Sequence, residues 1–183
     1  MIILAIDPGI RGVGAALFTP DALLTADYVR NPAKSGNQAA EVVRMALAVE
    51  EWVVGAVARQ SVTRLVVEWP RIRTRDKSPG DPNDLVALAA VSSAIAARFS
   101  HASVVSLYPD EWKGQLSGEA TAARVVARLT EAERARVVLH GKGTMVELAR
   151  GVLTGDRNHN TLDSVGIGLH DLGRFAPTKV FPR

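Results

Sequence analysis

Two carboxylates in this chain stand at the ends of apolar runs. Asp7 closes Met1-Ile-Ile-Leu-Ala-Ile6 and is followed by Pro8-Gly9-Ile10-Arg11-Gly12, and Glu68 closes Leu65-Val66-Val67 and is followed by Trp69-Pro70. An ionised carboxylate unpaired beside a core is costly, so such groups are matched with a cation, a donor cluster or a metal. Two of them at strand ends point to one shared cation site. A third acidic element is Asp156-Arg157-Asn158-His159-Asn160-Thr161-Leu162-Asp163. A helix beginning near Asn160 turns Leu162, Val165, Leu169 and Leu172 toward the core and sets Asp163, Asn160 and His159 on an adjacent face. Alone, Asp163 reads as a helix-start charge favoured by the dipole and His159 as a loop residue. Beside Asp7 and Glu68 they read as parts of one centre.

The elements that must position these groups follow from periodicity. Residues 2–7, 12–18 and 22–30 are short apolar or alternating runs broken by Pro8-Gly9 and Thr19-Pro20-Asp21, an antiparallel meander. Ser35-Gly36-Asn37 starts a helix that carries Val42, Val43, Ala46, Leu47, Val49 and Val53 inward and ends near Arg59. Residues 65–68 form a fourth strand; Asp81-Pro82 caps a helix running to about Phe99, and residues 102–107 form a fifth strand. Helices fill most of the rest, with a capping box at Thr130-Glu131-Ala132-Glu133 and starts at Ser117 and Thr144. The expected fold class is α/β: a five-stranded mixed sheet, three antiparallel strands then parallel ones, flanked by helices in the RNase H-like order. The helix over 83–99 is apolar almost all round, which predicts burial on both sides: one against the sheet, the other against a second subunit or the C-terminal helices. Gly166, one turn after Leu162, predicts a close backbone approach to the sheet.

The 183 residues suit one domain, 1–183. With no cysteine, disulfides and thiolate zinc sites are excluded, and any metal binds oxygen or imidazole. No basic leader and no membrane-length apolar run are seen, so a soluble cytoplasmic protein is expected. The net charge is +3 and the sequence pI about 9.6, but position matters more. Arg71, Arg73, Arg75 and Lys77 fall in one Pro- and Gly-containing loop directly after Glu68. A basic loop beside a cation-binding acidic centre is what a nucleic-acid-processing enzyme requires.

Taken in order, Ile3-Leu-Ala-Ile-Asp7-Pro-Gly-Ile-Arg-Gly-Val-Gly14, Val66-Val-Glu68 and the stretch from His159 to Asp163 resemble the RuvC family of Holliday junction resolvases. Pro109-Asp-Glu-Trp-Lys113 resembles the family's proline-x-x-apolar-lysine segment and Gln115-Leu-Ser-Gly118 the stretch after it, in a form closest to phage-type members. The resemblance implies a homodimeric RNase H-like nuclease, cytoplasmic in the bacterial host if phage-encoded. It would cut opposed strands of a four-way DNA junction with Mg2+ or Mn2+, two ions per subunit. Asp7, Glu68 and Asp163 match the first, second and last of four ligand positions. The remaining position, three residues before the last carboxylate, is aspartate or histidine in the family and Asn160 here. His159 is the favoured replacement, with Asn160 through its carbonyl, or Asp156, as alternatives. Asp7 is expected to bridge the ions, Glu68 and Asp163 to flank them, and His159 to act as ligand or proton-transfer group. Expected DNA contacts are Arg11, Trp69, Arg71, Arg73, Arg75, Lys77 and Lys113, Trp69 by stacking or by packing at the sheet edge.

Other readings keep part of this picture. A nuclease for flaps, forks or RNA–DNA hybrids shares fold and metals, and a junction-binding protein with impaired catalysis would account for Asn160. An actin-like ATPase shares the first strand's aspartate and glycine turn, but the chain lacks a second phosphate-binding half.

Overall fold

The computed structural model describes residues 1–32, 36–71, 82–141, 144–152 and 155–175, and only the backbone at 82 and 156. Ser35, Arg73, Arg75, Lys77 and Asp81 lie outside the described residues, as does the side chain of Asp156. Strands β1 (Ile2–Asp7), β2 (Gly12–Phe18) and β3 (Leu23–Arg30) form the antiparallel meander. Strands β4 (Val62–Glu68) and β5 (Ser103–Leu107) add beside β1 in parallel, giving the order β3-β2-β1-β4-β5. The described helices are α1 (Gln38–Ala56), α2 (Pro82–Arg98), α3 (Pro109–Trp112), α4 (Gly118–Arg128), α5 (Glu131–Arg134), α6 (Met145–Ala149) and α7 (Asp156–Asp171). This is the mixed five-stranded sheet with flanking helices that the RNase H-like order predicts.

Alternation along each strand divides the core in two. Leu4 and Ile6 of β1 and Leu65 and Val67 of β4 join the layer containing Met45, Val49, Val91 and Ile95 of α1 and α2. Ile3, Ala5 and Val66 point the other way, into the layer of Val125 from α4 and Leu162, Val165 and Leu169 from α7. Ile6 pairs with Val67, so Asp7 and Glu68, next in step on adjacent parallel strands, both follow the α7 side. Their convergence is therefore set by strand register, which one slipped residue would reverse.

Several boundaries and faces differ from the sequence reading. Strand β4 begins at Val62, because pairing with Ile2 carries the ladder through the polar Thr63 and Arg64. Helix α1 is capped by the Asn37 side chain and stops at Ala56, before a 3-10 turn at Arg59–Ser61. Val43 and Leu47 of α1 face outward, 56% and 44% exposed, since one helix on a sheet buries only a stripe. Helix α2 packs beside α1, and the C-terminal helices, one of the two expected covers for its other side, lie across the opposite sheet face, leaving Val86 69% exposed. No helix among the described residues is long and apolar enough to cross a membrane.

Helix α7 starts at Asp156, one turn before the expected Asn160, which places His159 and Asn160 in its first turns. It lies close to the sheet because glycines leave room. A Cβ on Gly14 would stand 1.9 Å from the Asn160 carbonyl oxygen, and one on Gly168 would meet the Phe18 ring at 2.2 Å. Gly166 serves a different neighbour from the one expected: a Cβ there would lie 2.4 Å from Cζ3 of Trp112, so the close approach is to an indole and not to the sheet. The far end of α7 is clamped by Glu133, which is buried, accepts from the Leu23 N–H at 2.9 Å and receives both Arg174 guanidinium nitrogens at 2.7 and 2.8 Å.

Candidate metal centre

Asp7 from the end of β1, Glu68 from the end of β4 and Asp163 from the second turn of α7 offer carboxylate oxygens that all lie within 4.8 Å of one another. Asp7 and Asp163 are buried and Glu68 is partly so. Lys113, one residue past α3, reaches into the cluster: its Nζ is 2.8 Å from Asp163 Oδ2 and 3.5 Å from Glu68 Oε2. On the sequence this lysine reads as a DNA contact; here its ammonium is paired among the carboxylates.

The electrostatics show how far the cluster is from balance. Burial, then the Glu68 and Asp163 charges, hold the Asp7 carboxyl well above the usual carboxylate range, against an opposing pull from Lys113. Burial also raises Glu68, opposed first by Lys113. For Lys113, burial alone would lower the ammonium, but Asp163 and then Glu68 keep it above its ordinary value. One ammonium thus faces three carboxylates, and the surplus negative charge is what a divalent cation would neutralise. The donor set is hard oxygen, as Mg2+ and Mn2+ favour, and oxygens on opposite sides of an octahedral Mg2+ stand about 4.2 Å apart. A spread of 4.8 Å needs little adjustment to meet that, so the residues fit the metals expected.

The remaining candidates sort by position. His159 Nε2 is 3.3 Å from Asp163 Oδ2, one turn up the same helix, at the rim of the three-carboxylate set and outside it. The Asn160 amide nitrogen packs against the turn after β1, 3.4 Å from where a Gly9 Cβ would sit. Arg11 is exposed in that turn. Trp69 is half-buried, and its backbone N–H donates to the Leu107 carbonyl at 2.8 Å, extending the β4–β5 ladder. Arg71 pairs with Asp110 at 2.7 Å and lies over the Tyr108 ring, 5.3 Å from its centroid.

Trp112, read from sequence only as the apolar position before Lys113, is fully buried and donates from Nε1 to Glu68 Oε2 at 2.7 Å. The available signal was its type: a buried indole carries one N–H that needs an acceptor.

No protein-family model matches the chain, and no curated protein matches it. Solved structures do. Thermus thermophilus RuvC is 18% identical, with a TM-score of 0.54 over 96% of this chain and 99% of that one. The same organism's RuvC in complex with Holliday junction substrate is 16% identical, with a TM-score of 0.53 over 96% and 98%. The yeast mitochondrial Holliday junction resolvase Ydc2 is 12% identical, with a TM-score of 0.55 over 94% of this chain and 79% of that one. At these identities the likeness is one of fold, and it agrees with the resemblance drawn from the motifs.

Proposed function

We propose that this chain is a divalent-metal-dependent endonuclease that resolves four-way DNA junctions by paired phosphodiester hydrolysis, working as a homodimer. The observation that carries the reading is the convergence of Asp7, Glu68 and Asp163 within 4.8 Å on a fold shared with junction resolvases. Two bound Mg2+ or Mn2+ ions would supply an activated water and charge stabilisation on the attacked and departing oxygens. The chain's own part is to hold the oxygens that bind them. Asp7, Glu68 and Asp163 would hold the ions, Asp7 as the shared ligand and the other two on either side, and His159 beside Asp163 would serve as fourth ligand or proton carrier. Lys113 keeps a positive charge at the centre, available to a phosphate.

Recognition would rest on shape and backbone charge, through Arg11, Arg71, Arg73, Arg75 and Lys77, with Trp69 near the junction. The uncovered side of α2 is the surface for the second subunit, since cutting two opposed strands requires two sites related by a twofold axis. The test is cleavage of a synthetic four-way junction beside flaps, forks, RNA–DNA hybrids and linear duplex, with Mg2+, Mn2+ or a chelator, for wild type and Asp7→Asn. Symmetric, metal-dependent junction cutting that Asp7→Asn abolishes is expected. Preference for another substrate would reassign the activity, binding without cutting would leave a junction-binding module, and retained cutting by Asp7→Asn would remove the mechanism.

A further inference from the structure

We infer that Trp112 is a positioning residue of the metal centre: its indole N–H fixes the Glu68 carboxylate and thereby sets how tightly the centre holds a divalent cation. This rests on the metal-dependent reading above and deepens it. Of the three carboxylates, Glu68 has the longest side chain and the most rotamers to lose, and it is the one not fully buried. A ligand of that kind binds weakly unless something orders it beforehand. The only side-chain donors recorded to Glu68 among the described residues are Trp112, at 2.7 Å, and Lys113, at 3.5 Å. The second is a flexible ammonium whose shorter contact is to Asp163, so the indole is the fixed one.

The ring itself has little freedom. It is fully buried, tilted against Phe175 at 6.0 Å between centroids, and seated over Gly166, where any Cβ would strike it at 2.4 Å. Its edge donates to Glu68 while the Lys113 ammonium stands 4.9 Å from its centroid, so one aromatic group touches both a ligand and the cluster's resident cation. Adjacent residues at the end of α3 thus deliver a donor and a positive charge to the same centre. Leaving the buried N–H unpaired would be costly, which keeps the bond made.

The test is calorimetric titration with Mg2+ and Mn2+, alongside thermal denaturation, of full-length wild type, Trp112→Phe and Phe175→Leu. Trp112→Phe keeps a ring in the site and removes the N–H; affinity should weaken by about tenfold or more. Phe175→Leu loosens the same packing without touching the bond, and should lower the melting temperature while affinity stays within about twofold of wild type. Gly166→Ala, which retains the indole but displaces it, should weaken binding as Trp112→Phe does, and in a Glu68→Gln background Trp112→Phe should add nothing. With Trp52 and Trp69 replaced by Phe, the emission of Trp112 should shift on Mg2+ addition with the calorimetric midpoint, a readout that does not require the Trp112→Phe protein to fold. Equal affinity of wild type and Trp112→Phe, equal loss in Phe175→Leu, or unmoved emission at saturating Mg2+ would overturn the inference while leaving the metal reading intact. A wild type that takes up no metal would bring down both.

Discussion

Asp7→Asn should stabilise the metal-free protein even as it abolishes metal binding. Two unit charges 4.8 Å apart, the outer limit for this cluster, repel by about 3.5 kcal/mol at an effective dielectric of about 20. Neutralising residue 7 removes two such repulsions, from Glu68 and Asp163, and one attraction of similar size, from Lys113. The remainder is close to one repulsion, and burial, which disfavours the charged carboxylate further, acts in the same direction, so a gain of about 1–3 kcal/mol is expected at pH 8. For a chain of this length that is roughly 3–10 °C in melting temperature. The pH dependence gives the sign. Asp7 has a folded-state pKa raised above its ordinary 3.8, so its favourable contribution is complete below that ordinary value and is lost as pH climbs through the raised one. Asparagine has no such loss, and the gap between variant and wild type should open with rising pH and close near pH 4. Thermal melts in chelator across pH 4–8 measure it, and saturating Mg2+ should reverse the order by stabilising wild type alone. A variant less stable than wild type at pH 8 without metal, or a gap that ignores pH, would refute the account of an unbalanced cluster.

Lys113→Met should destabilise the metal-free protein by about 2–4 kcal/mol at pH 8, because it leaves three carboxylates without their cation; denaturant titration should find a smaller loss at pH 5, where the cluster can take up protons. Glu133→Gln should cost about 2–4 kcal/mol at neutral pH by breaking the Arg174 clamp. The side-chain bonds from Arg174 hold that carboxyl down at about 2, against an ordinary 4.5, so its stabilisation is present above 4.5 and fades as pH falls toward 2; urea unfolding of both proteins should converge over that window. Gly14→Ala puts a methyl into the Asn160 carbonyl, and should cost about 3 kcal/mol while lowering metal affinity, because α7 and Asp163 must lift; calorimetry and thermal melts on one sample would show the two losses together.

The sheet and two of its three carboxylates were legible because strands announce themselves by period and an acid at the end of an apolar run is anomalous. Asp163 was legible only in company, since a lone helical aspartate has ordinary explanations. What escaped were relations between distant side chains. Nothing local shows that a lysine expected to meet DNA, as Lys113 is, also reaches into a buried carboxylate cluster. Trp112 filled an apolar position convincingly, and its N–H acquired meaning only once Glu68 stood beside it. Gly166 signalled a close approach but not to what. Val43 and Leu47 face outward because hydrophobic type alone does not set direction, and one helix on a sheet hides only a stripe.

The alternation of β1 and β4 limits how the sequence of these strands can vary. Both acids share one side of the sheet because Ile6 is aligned with Val67 and each acid follows directly; what matters is odd and even position, not which aliphatic residue occupies it. Substitution can therefore rewrite almost every apolar position in these strands while leaving the acids where they are, whereas losing a single residue inside either strand would send its acid to the opposite layer. Structures that share this fold at 12–18% identity are then expected to differ freely in composition and hardly at all in strand phase.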